Sequence, residues 1–250
     1  MPRPLALAVL LFACNMAFAQ DYEREKRWRD EVVPSIVVGE PFVLKTAAGR
    51  EFLGIFTEAP LAKGALLVIH GVGVHPDHGV IGTLRVKLAE RGWTTLSVQM
   101  PVLAADAGAE DYYAKVFPEA LERIGTAVTW LKAHSPARLA MVSHGMGSWM
   151  ANEYLDAVPG APVSAWVCIS LTGGFSWARY FSKIPTLDVY GENDLPPVLS
   201  ASWRRSLALR TMAGASRQEV IAGADHFYAG REEALAQAVD AWLTQPLRRP

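Results

Sequence analysis

From residue 65 onward, short unbroken apolar runs alternate with stretches whose apolar residues recur every three or four positions. Residues 65–69 are apolar throughout, as a parallel strand buried on both faces requires. Ile81, Leu84 and Leu88 then recur at helical spacing. The β-branched run 94–98 follows, and Leu121, Ile124, Val128 and Leu131 mark one face of a long helix. Residues 139–142 read as the next strand, 146–155 as the helix behind it, and 165–169, 186–190 and 218–221 as further strands. Leu235, Val239 and Trp242 line a closing helix. Ahead of this block, 42–46 and 51–57 read as two strands joined by a turn at Ala48-Gly49. The alternation predicts an α/β class, with a mostly parallel central sheet of about eight strands and helices on both faces. Sheets of this kind present their chemistry at the carboxyl ends of the strands.

Residues before 42 follow neither pattern. Arg3, the apolar run 5–12 and Ala17-Phe18-Ala19 have the layout of a signal peptide, so residues 1–19 are expected to be removed after Ala19 and the protein to be periplasmic or secreted. The apolar run is far short of the roughly 20 residues a spanning helix needs, and no other stretch is long enough to span a membrane. The segment 11–14, ending in Cys14, offers a competing lipoprotein reading, with bulky Phe12 against it. Residues 20–41 are expected to be a charged helix or linker, since 21–31 carry nine charges of mixed sign, as on a solvated face. Residues 42–250 then form one domain.

Charge and cysteine content narrow the function classes. Basic and acidic residues number 24 and 25, so nothing suggests a nucleic-acid partner. Without the leader, Cys168 is the sole cysteine and no intramolecular disulfide is available.

The predicted strand ends carry four short segments: His70-Gly71-Val72-Gly73, Ser143-His144-Gly145-Met146-Gly147, Gly191-Glu192-Asn193-Asp194 and Gly223-Ala224-Asp225-His226. In this order they resemble the α/β-hydrolase superfamily, over nearly the whole stretch from Phe42 to the C-terminus, and in particular a bacterial exported branch with a His-Gly-x-Gly-x-His-Pro-Asp loop. The resemblance implies that Gly145 stands at the nucleophile position of a G-x-S-x-G elbow, Asp194 at the acid and His226 at the base. It further implies that His70, Gly71 and Val72, with His144 and Met146, shape the oxyanion side of a pocket. Taken singly, Asp194 reads as a turn residue and His226 as a capping or core histidine; the shared order favours the site.

The serine of that elbow is absent. If Ser143 were the nucleophile, Met141 would occupy a position that must be small, and Ser148 lies about a turn into the following helix. Glycine suits the strained turn, because a residue with a Cβ pays about 1–3 kcal/mol for such backbone angles. Losing a triad serine costs on the order of a millionfold in kcat. The expectation is therefore a hydrolase-like fold with a degenerate site that binds a small apolar or acyl-bearing ligand or serves an interaction. The alternatives are a His226–Asp194 dyad that activates water directly, and metal-assisted hydrolysis.

Five of the six histidines (His70, His75, His78, His144 and His226) fall in these segments or in the His75-Pro76-Asp77-His78 loop beside them. Their spacing matches no ligand motif, so neither metal nor cofactor is expected. Asp77 and His78 are equally candidates to cap the helix that begins near Val80. The aromatic stretch 175–181 reads either as a lid over the pocket or as packing, and Tyr112, Tyr113 and Phe117 as core residues at a helix start.

Overall fold

Eight strands join in one sheet in the computed structural model, which describes residues 20–135, 137–176, 182–212 and 214–245. In chain order the elements are α1 (Tyr22–Val32), β1 (Glu40–Lys45), β2 (Glu51–Thr57), β3 (Ala65–Ile69), α2 (Gly79–Glu90), β4 (Thr94–Val98), α3 (Ala109–Lys115), α4 (Phe117–His134), β5 (Leu139–His144), α5 (Met146–Ala157), β6 (Ala165–Ile169), β7 (Thr186–Asn193), α6 (Pro196–Leu209), β8 (Arg217–Asp225) and α7 (Glu232–Leu243). The strand order is β1-β2-β4-β3-β5-β6-β7-β8. β2 pairs antiparallel with β1 and β4, and every other pairing is parallel. The predicted bounds of β2, β3, β4 and β6 coincide with the observed ones. β7 and β8 run on to Asn193 and Asp225, beyond the apolar residues that marked them.

Each face of the sheet buries its own apolar cluster, as two helical layers require. One gathers Ile124, Val128 and Leu131 of α4 with Met150 and Leu155 of α5. The other joins Ile81, Leu84 and Leu88 of α2 to Leu235, Val239 and Trp242 of α7. Tyr112 and Phe117 are buried as expected; the side chain of Tyr113 lies outside the described residues. From β3 the chain passes through α2 to β4 on one side, then from β4 through α3 and α4 back across to β5 on the other side of β3, so the order reverses between β3 and β5. The crevice outside a parallel sheet opens at such a point.

Two elements differ from the sequence reading. α1 is a helix as expected, yet it does not stand wholly in solvent. Glu25 is buried, accepts from Arg123 Nη1 at 2.8 Å, and also takes the Val102 N–H at 3.2 Å and Gln20 at 2.8 Å. Burial pushes the Glu25 carboxyl above its ordinary range, with Arg123 and the other donors opposing it. Arg24 adds a bond to the Leu103 carbonyl at 2.8 Å. The charged segment is thus clipped to the loop after β4. α6 was not foreseen, because its pattern is inverted: Arg205 faces inward while Leu195, just ahead of the helix, and Leu199, Trp203 and Leu207 lie exposed. Arg205 is satisfied there by both oxygens of buried Asp188 at 2.9 Å and by the carbonyls of Leu171 and Gly173.

Candidate functional site

Gly145 is the single residue between the end of β5 and the start of α5. Its backbone angles, φ 56° and ψ −119°, lie where a side chain is strained and glycine is not. A Cβ built there would lie 3.7 Å from His226 Nε2 and 4.0 Å from its Cε1, and among the described residues no other atom beyond its chain neighbours comes within 4 Å. Two residues on, a Cβ at Gly147 would fall 2.3 Å from the His70 carbonyl oxygen, so α5 starts hard against the loop after β3 and only glycine fits. Ser143 lies behind the turn: fully buried, it accepts from Trp166 Nε1 at 2.9 Å and sits 3.1 Å from Ser148 Oγ, which itself donates to the Ile169 carbonyl. Neither hydroxyl lines the cleft described below, and Cys168 is sealed in the core.

His226, in the loop between β8 and α7, is joined to Asp194, just past the end of β7, through an Nδ1–Oδ1 contact of 2.7 Å. Asp194 is nearly fully buried and accepts three more hydrogen bonds: from the Leu195 N–H at 2.8 Å, the Gly191 N–H at 3.1 Å and the Ser170 hydroxyl at 2.5 Å. Burial raises its carboxyl, but the bonds from His226, Ser170, Leu195 and Gly191 prevail and hold it below the ordinary carboxylate range. With four donors on the carboxylate, the Nδ1 proton is fixed and the neutral ring keeps its lone pair on Nε2. That nitrogen has no partner among the described residues.

Ser170 was not singled out from the sequence. It follows β6, is fully buried, and has φ 53°; its hydroxyl lies 3.0 Å from the phenol of Tyr228, which has φ 57°. These are two of the three non-glycine residues with positive φ among the described residues, and both belong to the support of Asp194. Burial carries the Tyr228 phenol well above its ordinary range, so it stays a donor. A polar residue closing an all-apolar strand was the available signal.

The two other histidines of the strand ends are fixed by backbone. His144 Nε2 lies 2.9 Å from the carbonyl of His226, tying the loop that carries His226 to the turn at Gly145. Burial, then the nearby His226, pushes its imidazole down to about 4, so the neutral ring donates. His70 is pushed by burial to about 3; its Nδ1 donates to the Gly71 carbonyl at 2.8 Å and its Nε2 accepts the Met100 N–H at 2.8 Å. Its ring shapes the loop that presents Gly71 and Val72.

These residues floor a cleft of about 410 Å³ whose walls include Val72, Val74, Val80, Ile81, Met146 and Phe227. Val72 and Phe227 are 42% and 67% exposed, so the mouth is apolar as well. Among the described residues, Thr83 is the only hydroxyl-bearing side chain lining it, and Glu232 the only carboxylate. Met146 opens α5, where leading N–H groups lack intrahelical partners, and the Val72 N–H has no partner among the described residues. Both can therefore donate to a ligand oxygen.

The His75–His78 loop does not cap α2. His78 precedes the helix without a side-chain cap bond, and Asp77 instead pairs with buried Arg85. The ring centroids of His75 and His78 are 5.3 Å apart. Among the described residues, no group of three or more His, Cys, Asp or Glu side chains is arranged to hold a metal ion. Of the aromatic stretch, Phe175 is buried edge-to-face on Trp166, and residues 177–181 lie outside the described residues.

Solved structures with the same architecture span nearly the whole described chain. A protein of unknown function from Agrobacterium tumefaciens superposes with a TM-score of 0.65 at 17% identity, covering 84% of this chain and 100% of that one. A dienelactone hydrolase from Anabaena variabilis gives 0.63 at 22% identity, covering 84% and 99%. A protein from Xanthomonas campestris described as a serine hydrolase without lid gives 0.64 at 16% identity, covering 86% and 98%. The fold is that of the α/β hydrolases. Within that α/β-hydrolase fold, residues 40–120 also match the model of a family described as "Protein of unknown function (DUF3530)". No curated protein matches the chain. The likeness to the solved structures fixes the architecture, and the chemistry has to be argued from the side chains of this chain.

Proposed function

We propose that this is an exported α/β-hydrolase-fold protein that binds a small apolar or acyl-bearing molecule in the cleft between β3 and β5 and performs no serine acyl transfer. The carrying observation is a half-buried His226, bonded through Nδ1 to buried Asp194 and facing a glycine: its Nε2 is within 3.7 Å of where a side chain would begin, and the side chain is missing. Ser143 and Ser148 are bonded into the core behind the turn, so neither substitutes for it. The apolar walls supply binding, and the Met146 and Val72 N–H groups orient a carbonyl. Export rests on the leader, residues 1–19, which lie outside the described residues. Among the described residues no helix is long and apolar enough to cross a membrane.

A second reading is favoured by the same dyad. His226 Nε2, held as an acceptor by Asp194, is poised to take a proton from a water beside Gly145 while the N–H groups polarise an ester carbonyl. Short p-nitrophenyl esters separate the two. Under the binding reading they compete for the cleft at equilibrium and release no p-nitrophenolate above the buffer rate. Release that disappears in His226→Ala would instead establish water activation. Failure of every ester to bind would refute the cleft as a ligand site.

A further inference from the structure

We infer that the ligand of this cleft is an uncharged apolar molecule bearing a hydroxyl group, whose O–H sits beside Gly145 and donates to His226 Nε2. The inference rests on the ligand-binding reading above and narrows it to a chemical class. Its premises are geometric. His226 Nδ1 is committed to Asp194 at 2.7 Å, and Asp194 is occupied by Ser170, Gly191 and Leu195, so the ring cannot turn over or change tautomer without breaking this set. The second hold is on the backbone: the His226 carbonyl takes the bond from His144 at 2.9 Å. Nε2 is thus a fixed acceptor at the floor of an apolar cleft. A buried acceptor left unpaired by a ligand costs about 1–3 kcal/mol, so a ligand that brings a donor is selected over one that does not.

The space matches the group. Among the described residues beyond its chain neighbours, only the His226 ring comes within 4 Å of a Cβ at Gly145, so the space in front of Nε2 is open to a ligand oxygen. The charged side chains at the cleft favour a neutral ligand over an anionic one. Among the described residues no lysine or arginine lines the cleft, burial holds the His70 and His144 rings neutral so that His78 and His226 are its only other imidazoles, and its one carboxylate, Glu232, carries the wrong sign for a carboxylate or phosphate head. The apolar part of the ligand then runs out along Val72, Ile81, Met146 and Phe227, and the exposed Phe227 ring, 5.3 Å from the His226 ring, forms the wall beside the hydroxyl.

The test uses three probes with the same carbon load: 1-octanol, its isomer 1-methoxyheptane, which keeps the oxygen and loses the donor, and octanoate. Dissociation constants are read by calorimetry, and the position by the chemical shift of His226 Cε1–H. In the natural protein 1-octanol should bind about ten-fold tighter than the ether, the worth of one hydrogen bond, with octanoate weakest. In His226→Ala the order of alcohol and ether should reverse, since the hydroxyl then loses its acceptor. In Gly145→Ser the preference should vanish, because the new hydroxyl takes the same place. Equal binding of alcohol and ether in the natural protein, or an alcohol preference that survives His226→Ala, would overturn the inference while leaving the cleft as a binding site. Absence of binding by all three would remove the ligand-binding reading itself.

Discussion

Under the proposed reading a single side chain separates this cleft from a serine hydrolase site: residue 145 is glycine, with neither Cβ nor hydroxyl, on a turn of unusual backbone angles. The φ of 56° there is one that glycine adopts freely. Gly145→Ser should therefore lower stability by about 1–3 kcal/mol, measured as a shift in the urea midpoint at constant slope. The histidines around the turn give a second residue-scale expectation. His144 is neutral in the folded protein because burial pushes its imidazole down to about 4, whereas in the unfolded chain it titrates near 6.5. The folded state then binds fewer protons, so stability is present above pH 6.5 and falls as the pH drops from 6.5 towards 4, by about 3 kcal/mol for this residue. His70, pushed to about 3, adds a loss of the same sign that continues further down. Chemical denaturation at a series of pH values should show this decline, and His144→Gln, which keeps a donor to the His226 carbonyl, should flatten it. The contribution of Asp194 is also lost on acidification, but in a lower window, because its carboxyl is held below the ordinary range.

At the scale of elements, the site depends on how closely α5 and α1 are held. The start of α5 lies against the His70 carbonyl, 2.3 Å from where a Cβ at Gly147 would be. Gly147→Ala should cost about 3 kcal/mol, because the contact is with backbone that cannot swing away; thermal unfolding would read the loss. α1 is held by Arg123, which is fully buried between Glu25 and Glu119 at 2.8 and 2.7 Å. Arg123→Met leaves two carboxylates without their cation and should cost about 3–5 kcal/mol in urea titration, with part of the loss recovered by adding Glu25→Gln. The sequence displayed β3 and β6 to the residue, because both are unbroken apolar runs buried on both faces, and β4 through its β-branched Thr94, Thr95 and Val98, the small threonine hydroxyls being buried with it. It pointed to the candidate site through order: His70, Gly145, Asp194 and His226 each follow directly on a strand. It hid α6, whose inward face carries Arg205 and whose outward face carries Leu199, Trp203 and Leu207, so that periodicity pointed the wrong way. It hid the burial of Glu25 because a charged run reads as solvent-facing unless the partner, 98 residues later, is known. Ser170 was invisible for a related reason: its importance lies in a hydrogen bond to a residue 24 positions away and in a backbone angle, and neither leaves a mark on local composition.

At the scale of the whole molecule, a strand-order reversal between β3 and β5 opens a crevice, and the loops after β3, β5, β7 and β8 converge on it. The architecture brings His226, Asp194 and backbone donors to one place, and under the proposed reading the apolar mouth admits a neutral ligand to them. The chain has the scaffold of a hydrolase, while the group that defines serine hydrolysis is replaced by hydrogen. The most direct measurement is the intact mass of the natural protein after prolonged incubation with a fluorophosphonate, with Gly145→Ser treated alongside. The expected result is no adduct on the natural protein and a stoichiometric adduct, mapped to residue 145, on the variant. A stoichiometric adduct on any serine of the natural protein would contradict it.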